Sequence, residues 1–504
     1  TESLPEEPVR IANLANIFLN LGHLEKKRNN LQQAASYYDH SLEYSEKTND
    51  KSILYEIKKS RLFNFRALGN DEEIEHEIPS IMQLLGDDYR KRITTEQERN
   101  TFFDNEQSVY DIAIEHEMRR NNFEQAYDYA ETSSSRSLLD WLEKGAESNF
   151  SESATPLNIN QIRENMPAEV QILQFRVLEN KILIWLISKE NFLSFSTEIS
   201  SNELEEKIKN YLKLIQANKA ENQNAITDLS HLFYSLLIEP ALPFLDKSKQ
   251  ICLIPNKILL RLPFSSFISP DEKYFLEEFT FFYSPSANVL IQCTKNAKIK
   301  GEIKEEKLLS VGNPTFDRQQ FPNLEILSES KTEALEIRKN YTSSEALVER
   351  NATKDAFLGL YRNFEIIHFA GHYVVDTDSP LLSKLVMAKS GENANDAFIT
   401  NIELRGEKLP RTKLVVLSAC QTGVEGYYNS EGLIGLSRSF LAAGVPIVVA
   451  SKWKVESEAS SILMKNFHYY RQKKNLSTNQ ALRQAQLDML KSADGRFQSV
   501  YFWA

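Results

Sequence analysis

Apolar residues recur at helical spacing from residue 8 to about residue 143, so we predict a succession of helices in that region. A small, polar stretch without periodicity follows at 144–166 and is typical of a linker. Beyond it, short β-prone apolar runs replace the helical pattern, apart from a helical stretch at about 201–245. From about residue 307, apolar runs at 308–311, 364–369, 414–417 and 445–450 alternate with helices that we predict at 431–443, 457–473 and 477–491. Ser477 and Gln480 form a capping box that opens the last of these helices. Unbroken apolar strands that alternate with helices indicate a doubly wound α/β domain, whose parallel sheet is covered on both faces.

Within the helical region, small and bulky residues recur in a fixed order. The first copy of this order is defined by three small and three bulky positions, Gly22, Ala34, Ser41, Leu21, Leu31 and Tyr38. The segment 121–126, with Tyr129 and Ser133 at matching offsets, is a second copy. The order resembles the tetratricopeptide repeat, in which small residues let paired helices approach closely. Three helix pairs fit the region, and stacked repeats offer a concave binding surface. The alternative is a helical bundle without repeats.

Two predicted strands, at 364–369 and 414–417, are followed by the residues with the most reactive side chains. Nine of the 16 glycines lie at 359–444, so this tract contains the loops that need unusual backbone shapes. His372 follows the first strand and Cys420 follows the second. Because sites in parallel sheets form beyond the carboxyl ends of the strands, we expect these two side chains to meet there. A thiolate attacks carbonyl carbon, and a neighbouring imidazole can take the proton from the thiol.

The other cysteines and a second histidine have simpler interpretations. Cys252 lies within a continuous apolar run, and we interpret it, like Cys293, as a structural residue. His368 lies inside its strand and is interpreted as a core histidine with satisfied hydrogen bonds. A zinc site built from His368, His372 and Cys420 is a further alternative, but the histidines straddle a strand end and no additional ligand cluster accompanies them. We therefore expect neither a metal nor a cofactor.

The composition narrows the function classes. The chain has 504 residues, of which 41% are hydrophobic, and its formal net charge is −11. An acidic chain lacks the net basic face that phosphate backbones require, so nucleic acid is not expected to be a direct partner. The apolar runs fall far short of the roughly 18 residues that a membrane-spanning helix needs. Three cysteines cannot form a disulfide framework, so we expect a reducing compartment, the cytoplasm.

Nine short motifs accumulate in the last two thirds of the chain. They lie at 254–256, 262–264, 283–286, 311–314, 368–372, 417–423, 431–436, 440–444 and 452–455. The most specific are His-Phe-Ala-Gly-His at 368–372 and Leu-Ser-Ala-Cys-Gln-Thr-Gly at 417–423. Together the motifs resemble the CHAT domain, a family of caspase- and separase-like cysteine peptidases that is often joined to tetratricopeptide repeats. The resemblance covers roughly residues 168–504.

The resemblance implies a role for several residues. By it, Cys420 is the nucleophile and His372 is the general acid and base, while the backbone N–H groups of Cys420 and Tyr373 stabilise the oxyanion. The family usually has glycine after the histidine, so Tyr373 is a departure whose bulk is expected to narrow the cleft.

The resemblance also implies a division of the chain. Repeats occupy 1–143 and the linker occupies 144–166. A non-catalytic, pseudo-caspase half follows at 167–305, and a catalytic, caspase-like half at 306–504.

Substrate choice depends on acidic residues near the dyad. Separase-type relatives recognise a basic residue through acids in the loop after the Trp-containing strand. Here that loop carries Glu456 and Glu458, and Ser457 stands where the family often has aspartate. Asp317, in the loop after the first strand of the catalytic half, is another candidate. We expect a basic residue before the cleaved bond; the alternative is that each carboxylate is only a solvated surface charge.

The expected function is a cysteine endopeptidase that cuts a protein at one or few sites. Relatives act in bacterial antiviral defence and regulated cell death, where some activate a partner such as a gasdermin-like pore former. The repeats are expected to hold the protein substrate or a regulator on their concave face. The rival interpretation is a non-proteolytic interaction scaffold that keeps the same fold, although Cys420 and His372 are both present.

The two ends of the sequence carry one further expectation. The tail at 497–504 is aromatic and β-prone, and it resembles the tract that leads into a closing strand of the family. We therefore expect the natural chain to continue past Ala504 by a short apolar tract. We also expect further repeats to precede residue 1.

Overall fold

The computed structural model describes residues 7–48, 50–89, 96–134, 136–144, 154–376, 379–419, 426–428, 432–454, 456–492 and 495–504. The chain divides into two compact units, residues 1–133 with 149–155 and residues 134–148 with 156–504. The first unit is helical and the second is α/β, which confirms the predicted fold class. None of the described helices has the length and apolar character that a bilayer crossing requires.

The first unit consists of helices that follow one another closely along the chain. They are α1 (Glu7–Lys27), α2 (Leu31–Ser45), α3 (Lys51–Leu68), α4 (Asp71–Gln83), α5 (Glu96–Asn105), α6 (Gln107–Arg119) and α7 (Phe123–Thr132). Helices α1 and α2 touch at Gly22, where an added Cβ would collide with the ring of Tyr38. The turns before α2 and α7 both pass through a left-handed asparagine, Asn29 with φ 64° and Asn121 with φ 61°. The two predicted copies therefore share the same turn.

The second unit begins with a mixed sheet and its covering helices. Its elements are α8 (Arg136–Lys144), α9 (Ile159–Asn165), β1 (Val170–Val177), β2 (Lys181–Ile187), β3 (Phe192–Glu198), α10 (Ser201–Ala217), α11 (Gln223–Leu237), β4 (Gln250–Ile254), α12 (Phe275–Glu278), β5 (Phe281–Tyr283) and α13 (Ala287–Gly301). The strand order is β3-β2-β1-β4-β5. Strands β1, β4 and β5 are parallel, while β2 and β3 form antiparallel pairs. Strand β1 is buried at every position, so it forms the centre of this sheet.

A second, parallel sheet follows. Its elements are β6 (Leu308–Gly312), α14 (Ser328–Ile337), β7 (Ser344–Val348), α15 (Lys354–Leu360), β8 (Ile366–Gly371), β9 (Tyr373–Val374), β10 (Lys384–Val386), β11 (Phe398–Thr400), α16 (Asn401–Arg405), β12 (Leu414–Ala419), β13 (Gly426–Tyr428), β14 (Gly432–Ile434), α17 (Leu436–Ala442), β15 (Ile447–Ala450), α18 (Ser457–Lys473), α19 (Thr478–Leu490) and α20 (Val500–Trp503). The order is β15-β12-β8-β6-β7, with every pair parallel. Strands β9 to β11 form a small antiparallel sheet, and β13 pairs with β14. Separate hydrophobic clusters cover the two faces of the parallel sheet, as its unbroken apolar strands predict.

Two local predictions were wrong, each because strand pairing or side-chain packing overrode the pattern. The helix expected from 431 begins only at Leu436, since Gly432–Ile434 pairs with Gly426–Tyr428 as a hairpin. The helical stretch expected over 201–245 is confirmed, as the two helices α10 and α11, which are separated at Asn218 with its left-handed φ of 46°. The β-prone tail ends in the helical turn α20, where Trp503 is 2% exposed and donates its indole N–H to the Gln498 carbonyl at 2.9 Å.

The predicted four-part division stays a prediction, and two contacts bear on where the second unit begins. Helix α8, which precedes residue 145, packs against α13 and α17, and Arg405 lies over its Trp141 ring at 4.7 Å. Lys300 of α13 donates to the carbonyls of Leu409, Thr412 and Gly444 at 2.7, 2.8 and 2.6 Å. Burial lowers the pKa of this lysine to about 8. These contacts join α13 to the loops that precede β12 and β15.

Candidate active site

Strands β8 and β12 are neighbours, and the residues that follow them leave the same edge of the sheet. The last pair of this parallel ladder joins Gly371 to Ala419. His372 follows Gly371, and Cys420 follows Ala419 in the sequence. Cys420 itself lies outside the described residues. The register therefore gives the starting points of the two segments that carry the predicted dyad, as expected for a site beyond the carboxyl ends of parallel strands.

Close packing fixes the end of β8. A Cβ at Gly371 would lie 2.9 Å from the ring of Phe369 and 3.1 Å from Pro314, in the loop after β6. Since real Cβ atoms almost never approach so closely, only glycine fits here without a shift of its neighbours. The glycine thus brings the loop after β6 against the residue before His372.

His372 is half-buried and held by two neighbours from the loop between β6 and α14. Its Nε2 lies 2.6 Å from the carbonyl oxygen of Glu325, and its ring meets that of Phe316 edge-on at 5.5 Å. A carbonyl oxygen only accepts hydrogen bonds, so Nε2 carries a hydrogen. In the neutral imidazole Nδ1 is then the nitrogen without a proton, and it is the atom that can act as a base.

The surroundings of His372 favour this neutral form. Burial lowers the pKa of His372 below its ordinary value of 6.5, the Glu325 hydrogen bond opposes that change, and the charge of Lys454 adds to it. Since the neutral ring is the base, His372 is competent to accept a proton at neutral pH. Neither Glu325 nor Lys454 was singled out from the sequence, because Glu325 acts through its backbone and both belong to other loops.

Tyr373 occupies β9 with its side chain turned into the core. The residue is 6% exposed, and its hydroxyl accepts a hydrogen bond from Asn401 Nδ2 at 2.7 Å. The Val386 N–H donates to the His372 carbonyl, so Tyr373 and Leu385 form a non-hydrogen-bonded pair and the Tyr373 N–H faces away from β10. The bulk of the tyrosine is therefore accommodated by the core of the unit.

The three candidate specificity acids have different surroundings. Asp317 accepts the Gln319 N–H at 2.9 Å and lies 3.4 Å from Lys389 Nζ; chiefly that backbone hydrogen bond lowers its pKa. Glu458 pairs with Arg496 at 2.8 Å. Glu456 is exposed, and no described residue forms an ion pair with it. Of the three carboxylates, Glu456 is thus the one without a cationic partner in the described part of the chain.

His368 belongs to a buried chain of polar side chains. Its Nε2 lies 2.8 Å from Glu333 Oε1, and its Nδ1 lies 3.1 Å from His468 Nε2. His468 Nδ1 in turn lies 2.7 Å from the Tyr341 hydroxyl. Both ring nitrogens of His368 thus have protein partners, as the core-histidine interpretation requires. The chain joins α14, β8 and α18, and nothing local in the sequence marks Glu333 or His468 as its members.

Cys252 and Cys293 belong to other elements, strand β4 and helix α13. Cys252 is fully buried in β4, between Ile172 and Phe282 of the adjoining strands. Cys293 lies on α13, and burial raises the pKa of its thiol to about 12. The Cys293 thiol therefore stays protonated at neutral pH, and burial keeps Cys252 from solvent, in agreement with their structural interpretation.

Some solved structures are similar to this chain at low sequence identity and with TM-scores below 0.5. One chain of the Saccharomyces cerevisiae separase–securin complex matches 87% of this chain over 36% of its own length, at 10% identity and a TM-score of 0.45. A second structure of that complex has the same sequence identity and the same coverage of both chains, with a TM-score of 0.41. The complex of the pro- and mature domains of Porphyromonas gingivalis RgpB matches 60% of this chain over 75% of its own, at 13% identity and a TM-score of 0.33. The chain thus spans about a third of the separase-complex chain that it matches.

Sequence families give a more direct assignment. No curated protein matches the chain. The family model of the CHAT domain, however, matches residues 227–504, which is more than half of the sequence and includes both His372 and Cys420. The chain therefore belongs to the CHAT domain family.

Proposed function

We propose that the chain is a cysteine endopeptidase that uses Cys420 and His372. The observation that carries the proposal is the register of β8 and β12, which pairs Gly371 with Ala419 immediately before the two residues. The neutral state of His372 and its Nε2–H hydrogen bond to Glu325 support the role of a base. Membership of a family of caspase-like fold supports the same reaction.

The proposed reaction begins with proton transfer from the Cys420 thiol to Nδ1 of His372. The thiolate attacks the carbonyl carbon of the scissile peptide, a C–S bond forms, and the carbonyl oxygen becomes an oxyanion. The N–H groups of Cys420 and Tyr373 stabilise that oxyanion. Collapse breaks the C–N bond, and the leaving amine takes the proton from His372. Water then attacks the thioester while His372 takes its proton, which releases the acid and restores the thiol.

A peptide with a chloromethyl ketone at its C-terminus tests the proposal directly. The enzyme should be alkylated at Cys420 with loss of chloride, and peptide mapping by mass spectrometry should find Cys252 and Cys293 unmodified. An interaction scaffold without an activated thiol would give no selective labelling of Cys420. That outcome would reject the proposed enzyme and favour the scaffold.

The acid limb of the pH profile should lie below pH 6.5, the ordinary pKa of histidine, because burial lowers the pKa of His372. Activity is lost as the pH falls through that lowered pKa, since protonated His372 cannot accept the thiol proton. Lys454→Gln removes a positive charge and should move the limb to higher pH, whereas Lys474→Gln, an exposed control, should not. The measurement is kcat/KM from pH 4 to 9 for the unchanged protein and both variants. If the acid limb of Lys454→Gln lies at the same pH as that of the unchanged protein, this electrostatic account is contradicted.

We propose that the substrate carries Arg or Lys before the cleaved bond, recognised chiefly by Glu456. This exposed carboxylate follows the loop that contains Lys454, whose charge acts on His372. Asp317 and Glu458 are proposed as secondary contributors, because each already pairs with a lysine or arginine.

A peptide library should therefore be cleaved after basic residues. Glu456→Gln should lower kcat/KM for these peptides by about tenfold, equivalent to ~1.4 kcal/mol, while Glu458→Gln should have a smaller effect. Glu392→Gln, which removes an exposed carboxylate elsewhere, is the matched control. A preference for apolar or acidic residues would show the acidic pocket to be wrong.

We further propose that the helical unit, as tetratricopeptide repeats, holds the protein substrate or a regulator. Small-residue packing between α1 and α2 and the shared turns at Asn29 and Asn121 support the repeat assignment. The pathway that we propose is bacterial antiviral defence or regulated cell death in the cytoplasm, with cleavage of a partner such as a gasdermin-like pore former. Co-expression with proteins encoded beside the gene, followed by a search for clipped products, tests this placement.

Removal of residues 1–133 should affect cleavage of a short peptide and cleavage of the natural protein differently. Cleavage of a short peptide should persist, because α8 and the whole α/β unit remain, while cleavage of the natural protein should fall at least about tenfold. The values of kcat/KM for the short peptide and for the natural protein are measured on the same preparations. Equal loss on both substrates would mean that the helical unit is needed for folding instead of recognition.

A further inference from the structure

A large cavity in the second unit lies between the edge strands of its two main sheets. Its volume is about 460 Å³, and it is lined by β5 of the first sheet and β15 of the second. At roughly 30 Å³ for each water, this space would hold about 15 water molecules. The walls are mainly apolar, with Phe282, Val289, Leu290, Leu441, Ile447 and Val448 among them. Such a space is a preformed site of ligand size, since pockets for small molecules span roughly 300–1,000 Å³.

One end of the cavity carries a lysine without an acidic partner. Lys452 Nζ donates to the carbonyls of Leu260 and Leu262 at 3.0 and 2.8 Å and lies 4.2 Å from the centre of the Tyr283 ring. No carboxylate among the described residues forms an ion pair with it. Burial lowers the pKa of Lys452 to about 7, because the ammonium has only dipoles and a ring face around it. A carboxylate in the cavity would supply the missing counter-charge.

The opposite end of the cavity differs in charge. It is lined by Glu169, which is exposed, and by Gln250 and Asn479, whose side chains are hydrogen-bonded to each other at 2.6 Å. A second cationic residue, the buried Arg438, also lines the cavity. An anionic group would be repelled by Glu169 and attracted by Lys452 and Arg438, so the charges orient an amphipathic anion in one direction. The part of the wall that β15 supplies, Ile447 to Ala450, runs for roughly 10 Å at about 3.3 Å for each residue, and Lys452 follows it two residues later. The cavity is therefore apolar along its length and has the cationic side chain of Lys452 at one end.

We propose that this cavity binds a single-chain fatty acid. Its carboxylate pairs with Lys452, and its acyl chain lies along β15 towards Glu169. The Lys452 ammonium, which has no acidic partner among the described residues, matches one carboxylate, and the apolar walls match an unbranched chain. His372 does not line the cavity, and the proposal does not depend on whether the chain is a peptidase.

Titration of the full chain with tetradecanoate labelled with ¹³C at the carboxyl carbon tests the proposal. The NMR signal of the bound carboxylate should appear at one-to-one stoichiometry. Lys452→Met keeps an unbranched side chain but removes the charge, and it should weaken binding at least tenfold. Lys454→Met, the neighbouring exposed lysine, should bind as the unchanged protein does. Tetradecanol has the same chain without the charge, so Lys452→Met should not weaken its binding.

A second variant tests the cavity without touching the lysine. Ala297→Trp adds bulk to the wall from α13 and should abolish binding of both the acid and the alcohol, while the far-ultraviolet circular dichroism stays unchanged. Absence of saturable binding, equal affinity of Lys452→Met for the acid, or unchanged binding by a folded Ala297→Trp would each overturn the proposal. So would tighter binding of a lysophospholipid with the same chain, since the headgroup would then be a phosphodiester instead of a free carboxylate.

Discussion

Peptidase activity should fall by at least about 1,000-fold in Cys420→Ala, because no other group in the proposed mechanism can form the thioester. His372→Ala should lose nearly as much, since members of one catalytic unit do not act additively. The measurement is kcat/KM on a peptide with a basic residue before the cut, with thermal unfolding recorded in parallel. A thiol-to-methyl change is small, so the fold of Cys420→Ala should persist, and the unfolding measurement checks the same for His372→Ala.

Cys252→Ala is the control for this loss. It makes the same chemical change in β4, where the thiol is fully buried and belongs to the other sheet. Activity should be retained, with at most a modest decrease in stability from the small cavity that the change creates. Full turnover by Cys420→Ala, or inactivation of a folded Cys252→Ala, would contradict the assignment of the nucleophile.

Glu333→Ala should destabilise the second unit by about 3 kcal/mol, the largest effect that we expect from a residue outside the dyad. The change removes the acceptor of His368 Nε2 at a position where both side chains are at most 1% exposed. A buried donor is then left without its partner, and the links between α14, β8 and α18 are weakened. Because His368 lies four residues before His372, the loss should also lower activity at temperatures near the unfolding transition.

Glu336→Ala provides the matched control on the same helix. Its carboxylate is exposed and pairs with Lys339 three residues on, so removal should change stability by less than ~0.5 kcal/mol. All four tryptophans lie after residue 133, so urea unfolding followed by tryptophan fluorescence reports on the second unit. If Glu333→Ala unfolds at the same urea concentration as Glu336→Ala, the buried polar chain does not hold the sheet together.

Patterns within a few residues were enough to predict much of the fold. Unbroken apolar runs predicted the strands β6, β8, β12 and β15. A strand of a parallel sheet is buried on both faces, so its sequence shows no alternation of polar and apolar residues. The capping box of Ser477 and Gln480 fixed the start of α19, because both of its hydrogen bonds join neighbours in sequence. Histidine and cysteine after two such strands likewise pointed to one edge of the sheet.

Other features depended on residues that are far apart in the sequence. The hairpin of β13 and β14 shortened α17, and packing of Trp503 turned a β-prone tail into a helical turn. The surroundings of His372 come from Glu325 and Lys454, while those of His368 come from Glu333 and His468. The cavity beside Lys452 exists only because two sheet edges from different halves of the unit line it.

The sequence by itself therefore determined the order of the two units, most strands and the two residues of the predicted dyad. These features depend on periodicity and on side-chain chemistry, which each segment carries locally. Only the tertiary structure decided the partners of each histidine, the register of Gly371 with Ala419 and the cavity. Hydrogen-bond partners and burial depend on which distant segments pack together, and it is burial that lowers the pKa values of His372 and Lys452.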